Sequence, residues 1–284
     1  MIKKIKPYLL ALLVTSILCN CDSKKPTLPK GFIEQLLCYS GSICENEKGT
    51  RFGMIGDSWT DLIFGQPLIL TLRKQLEQNH NYRITGATIG GERLDRVVAQ
   101  NIHVRVIDEA GPDLRYMLIS LGGNDLQGNA ENYVGDIEGE KNKRLATLEA
   151  NLLKLVREGN AYKIQKWGGA PLLWIINGYD YSNPDVPSQS GSVSCRPTLI
   201  GKGFSDSEVT AFTSQVLDDF NEKLRQITYI EPQLRYIDLR GTLGGPSVSR
   251  EDYMYDCIHP NTVGFELLAQ KYVQALEGYT SYER

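Results

Sequence analysis

The sequence is short of the residues that most often announce a function. It has three histidines, His80, His103 and His259, and six cysteines with no CxxC pair. Zinc sites are built from clustered His and closely paired Cys, so no metal centre is expected. Positive charge is not in excess either, since 31 Lys and Arg stand against 34 Asp and Glu. A nucleic-acid-binding protein carries a positive field, and a net charge of −3 supplies none. The apolar run at residues 8–18 covers eleven positions, against the roughly 20 that a membrane-spanning helix needs. What is present is the composition of a folded domain. With 41% hydrophobic and 23% charged residues over 284 positions, the chain is neither disordered nor fibrous. That length suits one domain or two, and no internal repeat or second composition zone marks a boundary.

The first twenty residues differ from the rest. Lys3, Lys4 and Lys6 precede the apolar run, as the charged and apolar regions of an export signal do. Leu18-Cys19-Asn20-Cys21 follows and resembles a bacterial lipobox, with Leu three residues before the Cys that is lipidated. Asn20 departs from the usual Gly or Ala, and Cys19 fits less well because Ser16 would stand where Leu is wanted. Residues 1–20 are thus expected to be a lipoprotein signal peptide, with Cys21 the lipidated N-terminus. Cleavage there removes three lysines and no acid, leaving 264 residues at a net charge of −6. The expected location is the bacterial cell envelope, lipid-anchored on the periplasmic or outer-surface side. Asp22 resembles an inner-membrane retention signal of some bacteria, and the leaflet stays open.

Cys38, Cys44, Cys195 and Cys257 then remain. An even count in an exported chain favours two disulfides, with three possible connectivities. Cys38 and Cys44 are near enough in sequence to pair locally, which leaves Cys195 for Cys257. Residues 21–49 are polar and turn-rich and read as a tether with a disulfide-stapled lead-in.

From residue 50 to 279 apolar and amphipathic segments alternate. Strands are expected at Arg51–Ile55, Tyr82–Ala87, Asp113–Leu121, Pro171–Asn177 and Leu234–Leu239. Helical spacing runs through Asp61–Glu77, Leu94–Glu109, Lys143–Gly159, Ser207–Tyr229 and Val263–Leu276. Strands alternating with crossover helices define an α/β fold, a parallel sheet covered on both faces. In such sheets the ligand site lies outside the carboxyl ends of the strands.

Four segments at those ends carry chemistry. Gly56-Asp57-Ser58 follows the first strand, and a serine on a strand-to-helix turn exposes its Oγ, although the same tripeptide also makes a plain capped turn. Gly90-Gly91 follows the second, offering a bare backbone N–H at Gly91. Gly122-Gly123-Asn124-Asp125 follows the third, and the Asn124 amide is a candidate oxyanion donor. Asp256-Cys257-Ile258-His259-Pro260 follows the last, where Asp256 can fold back to hold His259 in one tautomer. His80 and His103 read as helix-terminal and helix-surface residues.

In this order the four blocks resemble those of the SGNH, or GDSL-type, hydrolases, over about residues 51–276. Trp59 replaces the Leu of the name-giving motif, and the second block lacks its upstream Asn, so Gly90 competes with Gly91. The resemblance implies a three-layer α/β/α sandwich with a central parallel sheet, flavodoxin-like in order. It implies Ser58 as nucleophile, His259 as base and Asp256 as its orienting acid, with Ser58, Gly91 and Asn124 forming the oxyanion hole. It calls for no cofactor and no metal. A histidine base predicts activity rising from acid pH towards neutral.

The implied activity is that of a serine esterase on small acyl or acyl-lipid esters, through an acyl-enzyme intermediate. Two alternatives stand beside it. One is an O-acetyl esterase or O-acetyltransferase acting on envelope polysaccharide, and the other an inactive binding lipoprotein on the same fold. The expected partners are a small-molecule, lipid or carbohydrate ester and the membrane under the anchor, with no nucleic acid and a monomeric state. Residues 178–203 read as a loop insertion that forms either a lid or a wall. Trp59, Tyr179 and Tyr181 either line a pocket or pack the sheet. A Cys195–Cys257 bridge would staple the His259 loop to this insertion, in a role either catalytic or purely structural.

Overall fold

The computed structural model describes residues 51–61, 69–187, 194–245 and 247–280. The expected signal peptide and tether, with Cys21, Cys38 and Cys44, lie outside them. Among the described residues no helix is long and apolar enough to cross a membrane.

Five strands form one parallel sheet: β1 (Phe52–Gly56), β2 (Ile84–Thr88), β3 (Tyr116–Ser120), β4 (Leu173–Asn177) and β5 (Leu234–Ile237). Their order is β2-β1-β3-β4-β5, and every pairing is parallel. A strand covered on both faces reads as a continuous apolar run. β3, Tyr-Met-Leu-Ile-Ser at the sheet centre, is buried at all five positions. The helices are α1 (Leu72–Asn79), α2 (Leu94–Ala99), α3 (Ile102–Ala110), α4 (Gly123–Gln127), α5 (Ile137–Trp167), α6 (Cys195–Gly201), α7 (Asp206–Thr210), α8 (Val216–Ile230) and α9 (Thr262–Thr280). α1 packs on α9, while α3, α5 and α8 pack in a row, so helices flank the sheet as a flavodoxin-like order requires.

Several elements depart from the sequence periodicity for identifiable reasons. The expected helix over 94–109 breaks at Asn101, which adopts a left-handed φ of 52° and separates α2 from α3. Asparagine tolerates that conformation better than most residues. The helix expected over 143–159 runs much further, from a side-chain cap at Asp136 to Gly168. The segment at 207–229 is interrupted by a π-turn at Ala211–Gln215. There the hydroxyls of Thr213 and Ser214 donate to the carbonyls of Val209 and Thr210. Such side-chain bonds compete with the regular helix ladder. The amphipathic run from 61 becomes helix only at Leu72, and residues 62–68 lie outside the described ones.

The order places a topological switch at β1: the chain leaves it for β2 on one side and returns to β3 on the other. The carboxyl ends of β1 and β3 therefore open the crevice in which this fold binds ligands. Gly122, just past β3, holds a φ of 110°, and a Cβ there would meet Phe220 at 2.8 Å and Leu148 at 2.9 Å. Backbone strain and overpacking then act together. Gly122→Ala is expected to destabilise the fold by about 2–4 kcal/mol in denaturant unfolding.

Candidate active site

The turn after β1 is built by one residue, Asp57. Its N–H extends the sheet ladder to the Ser120 carbonyl (3.1 Å), and its own carbonyl accepts from the amides of Thr60 and Asp61. Its carboxylate accepts the Trp59 N–H at 3.0 Å. Trp59 is buried, edge-on to Tyr179 and Phe265, and anchors the turn in the core. Ser58 is left half-buried at the crevice, its Oγ 2.8 Å from His259 Nε2.

The loop after β5 folds around the Asp256 carboxylate. Asp256 Oδ1 accepts the amides of Ile258 (2.8 Å) and His259 (2.7 Å), and Oδ2 lies 2.8 Å from His259 Nδ1. A carboxylate can only accept, so Nδ1 carries the proton and Nε2 faces Ser58 with its lone pair. Burial pushes the Asp256 carboxyl up, but its bonds to the imidazole and the two amides outweigh burial and hold it below the ordinary value. The loop is tied twice to the segment after β4. Cys257 forms a disulfide with Cys195 at the start of α6, and its carbonyl accepts the Asn183 N–H at 2.9 Å.

The second and third blocks meet over α2. Asp125 accepts the Leu94 and Asp95 amides (2.8 and 3.3 Å), satisfying orphan donors at the start of that helix. Asn124 Nδ2 donates to the Glu92 carbonyl at 3.0 Å and to Asp57 Oδ2 at 3.3 Å. Both neighbours are acceptors, which fixes the amide with its nitrogen towards Asp57 and Glu92. Gly91 sits in the adjoining turn at a φ of 76°, and a Cβ there would meet nothing within 4 Å. Of the two competing glycines, Gly91 is the one with the left-handed backbone. Gly122 and Gly123, by contrast, serve packing: a Cβ at Gly123 would stand 3.1 Å from the Tyr179 ring.

Asp57 is the residue that motif reading passed over. It is 2% exposed, and Tyr179 donates to its Oδ2 at 2.6 Å. Burial pushes its carboxyl up to about 6, against the pull of the Tyr179 hydroxyl, the Trp59 amide and the nearby His259. Nothing in the sequence linked Tyr179 to it, because the two are 122 positions apart. Trp59, Tyr179 and Tyr181 are all buried and pack in the core, so none of them lines an open pocket. The described part of 178–203 is likewise no free lid: Asn183 and Ser249 bond it to the His259 loop, and residues 188–193 lie outside the described ones. His103, expected on a helix surface, is fully buried on α3 beside α5, where the absent side chain of Gly159 makes room for the Trp174 ring. A depression of about 410 Å³ lies at the β5 edge between Arg225, Tyr229, Arg235 and Tyr279, and includes none of the residues above.

A parallel α/β sheet whose crevice joins a serine, a histidine and a carboxylate in series defines a serine hydrolase. The chain belongs to the GDSL-like lipase/acylhydrolase family, whose model matches residues 54–267. No curated protein is similar enough in sequence to match. Among solved structures, a lipase from a goat rumen metagenome is similar at a TM-score of 0.53, with 16% identity over 79% of this chain and 96% of that one. A GDSL-like lipase from Bacteroides thetaiotaomicron VPI-5482 is similar at 0.51, with 12% identity over 87% of this chain and 97% of that one. At these identities the likeness concerns the fold, and the family match carries the reaction class, ester hydrolysis by a serine hydrolase.

Two outcomes are expected from this geometry. Asp57 takes its proton near pH 6 when folded against an ordinary 3.8, so its contribution to stability is full below about pH 4 and lost as pH rises through 6. That rise is worth roughly 3 kcal/mol. Asp57→Asn, which does not titrate, should gain on wild type by up to that amount between pH 4 and pH 7.5. Unfolding curves at the two pH values check it, and an unchanged difference disproves it. Reduction of Cys195–Cys257 should cost about 2–4 kcal/mol of stability. It should also slow ester turnover in enzyme that is still folded; full turnover in reduced, folded enzyme would make the bridge a structural staple only.

Proposed function

We propose that this chain hydrolyses carboxylic esters of small acyl or acyl-lipid type through an acyl-enzyme formed on Ser58. The single observation that carries the reading is the relay from Ser58 Oγ to His259 Nε2 (2.8 Å) and from His259 Nδ1 to Asp256 Oδ2 (2.8 Å). As Ser58 Oγ attacks the ester carbonyl, His259 Nε2 takes its proton and then returns it to the departing alkoxide. Asp256, kept ionised by its amide donors, stabilises the imidazolium formed in between. Charge developing on the carbonyl oxygen is received by the amides of Ser58 and Gly91 and by the Asn124 side chain. Water repeats the sequence on the acyl-enzyme and releases the acid. The acyl preference for small or lipid esters follows the lipase and acylhydrolase character of the family.

We place the enzyme in the bacterial envelope, lipid-anchored through Cys21, on the strength of the charged, apolar and Leu18–Cys21 pattern at its start. The described chain from residue 51 then acts as a monomeric catalytic unit at the end of a tether.

Ser58→Ala and His259→Ala should each lower turnover of a short-chain p-nitrophenyl ester by at least about 10³-fold. A fluorophosphonate probe should label wild type at Ser58 and leave Ser58→Ala unlabelled. Near-wild-type rates in either purified variant would refute the assignment.

A further inference from the structure

Tyr179 belongs to none of the four motif blocks; it lies two residues beyond β4. Its ring is clamped by Trp59 (4.9 Å) and Phe220 (5.7 Å) and lies against Gly123. Its hydroxyl donates to Asp57 Oδ2 at 2.6 Å, and that same oxygen receives the Asn124 amide at 3.3 Å. The other carboxylate oxygen receives the Trp59 N–H. Three donors therefore converge on one buried carboxylate, an arrangement matched to the ionised form.

We propose that Tyr179 is a positioning residue for the oxyanion site, acting through Asp57 to hold the Asn124 amide with Nδ2 rather than its oxygen on the Asp57 side, where the N–H of the longer 3.3 Å contact is shared with the developing oxyanion. The inference rests on the reading of Asn124 as an oxyanion donor. A primary amide offers N–H on one edge and C=O on the other, and a half-turn exchanges them. With the oxygen turned to the site, a developing oxyanion meets a like partial charge instead of a donor. The choice is enforced by acceptors, Asp57 Oδ2 and the Glu92 carbonyl. Ionised, Asp57 can only accept; protonated, it still accepts but also carries a donor. Burial works against the ionised state, and the Tyr179 hydroxyl does most to favour it. The charged and titratable groups facing Asp57 are Tyr179 after β4, His259 in the loop after β5, and Asp125 on α4, the last opposing ionisation. Without the Tyr179 hydroxyl, Asp57 keeps its proton to higher pH. A protonated Asp57 can donate to Asn124 and stabilise the reversed amide.

Tyr179→Phe keeps the ring and removes only this donor. On p-nitrophenyl acetate it should lower kcat about tenfold or more and leave KM within about twofold, as loss of a hydrogen bond to a charged group allows. The acid limb of the kcat profile should move to higher pH. In an Asn124→Ala background the same substitution should cost nothing further, because the route through Asn124 is already gone. Unchanged kcat and pH profile, or an equal loss in the Asn124→Ala background, would overturn the inference while leaving the esterase reading intact. Wild type that neither turns over ester nor labels at Ser58 would overturn both. Should Tyr179→Phe fail to fold, Asp57→Asn replaces it with the same expectations of lost kcat and non-additivity; full kcat there would equally overturn the proposal.

Discussion

Three separate stretches of chain meet on the Asp57 residue, and the site depends on that junction. Its amide extends the ladder from β1 to β3, and its carbonyl closes the turn that presents Ser58. Its carboxylate gathers Trp59, Tyr179 and Asn124. Taking a carboxylate out of water costs free energy, visible in the upward displacement of its titration. The surrounding donors offset part of that cost, and what remains is a stability sacrifice at neutral pH. The return is geometric: the nucleophile turn and Asn124 are fixed to the same atoms, so neither moves without the other.

The opposite wall of the crevice is organised on the same principle with a different balance. Asp256 also gathers several donors, but its partners outweigh burial and hold it ionised. Its loop bends back on its own amides, is bridged to α6 by Cys257 and is bonded to Asn183. His259 is thereby held on a short, multiply restrained loop, which limits the freedom of a base that must meet Ser58 within hydrogen-bond distance. The two carboxylates are thus tuned apart. The one beside the imidazole stays charged, and the one beneath the nucleophile sits close to neutrality.

Much of this was legible from residue order. β3 announces itself as an unbroken apolar run, and the alternation of strands with amphipathic segments specifies a parallel sheet. The candidate site residues were legible because each sits in a short local motif after a strand, where the fold exposes side chains. Asp256 and His259 are three positions apart, so their pairing is a local event. The break at Asn101 and the π-turn at Ala211–Gln215 were not legible, since each is a choice between near-equal backbone states made by packing. His103 was misplaced for a related reason: its burial comes from the packing of α3 against α5, which are distant in sequence. Nor did residue order show what Gly122 and Gly123 are for: rings from α8 and from the segment after β4 occupy the space a Cβ would take at each.

The sequence by itself determined the class of fold and the order of the motif blocks, and the resemblance those blocks carry singled out Ser58, His259 and Asp256 as candidates. The fold class follows from periodicity and the blocks from short local motifs, which a linear reading captures. Only the tertiary structure decided that Ser58 and His259 meet across 201 positions, that Gly91 has the left-handed backbone, and that Tyr179 bonds to Asp57. It also chose core packing over a pocket lining for Trp59, Tyr179 and Tyr181, two alternatives that the sequence left open. Those outcomes depend on which distant side chains share one buried volume, and burial is a property of the packed chain rather than of any segment of it.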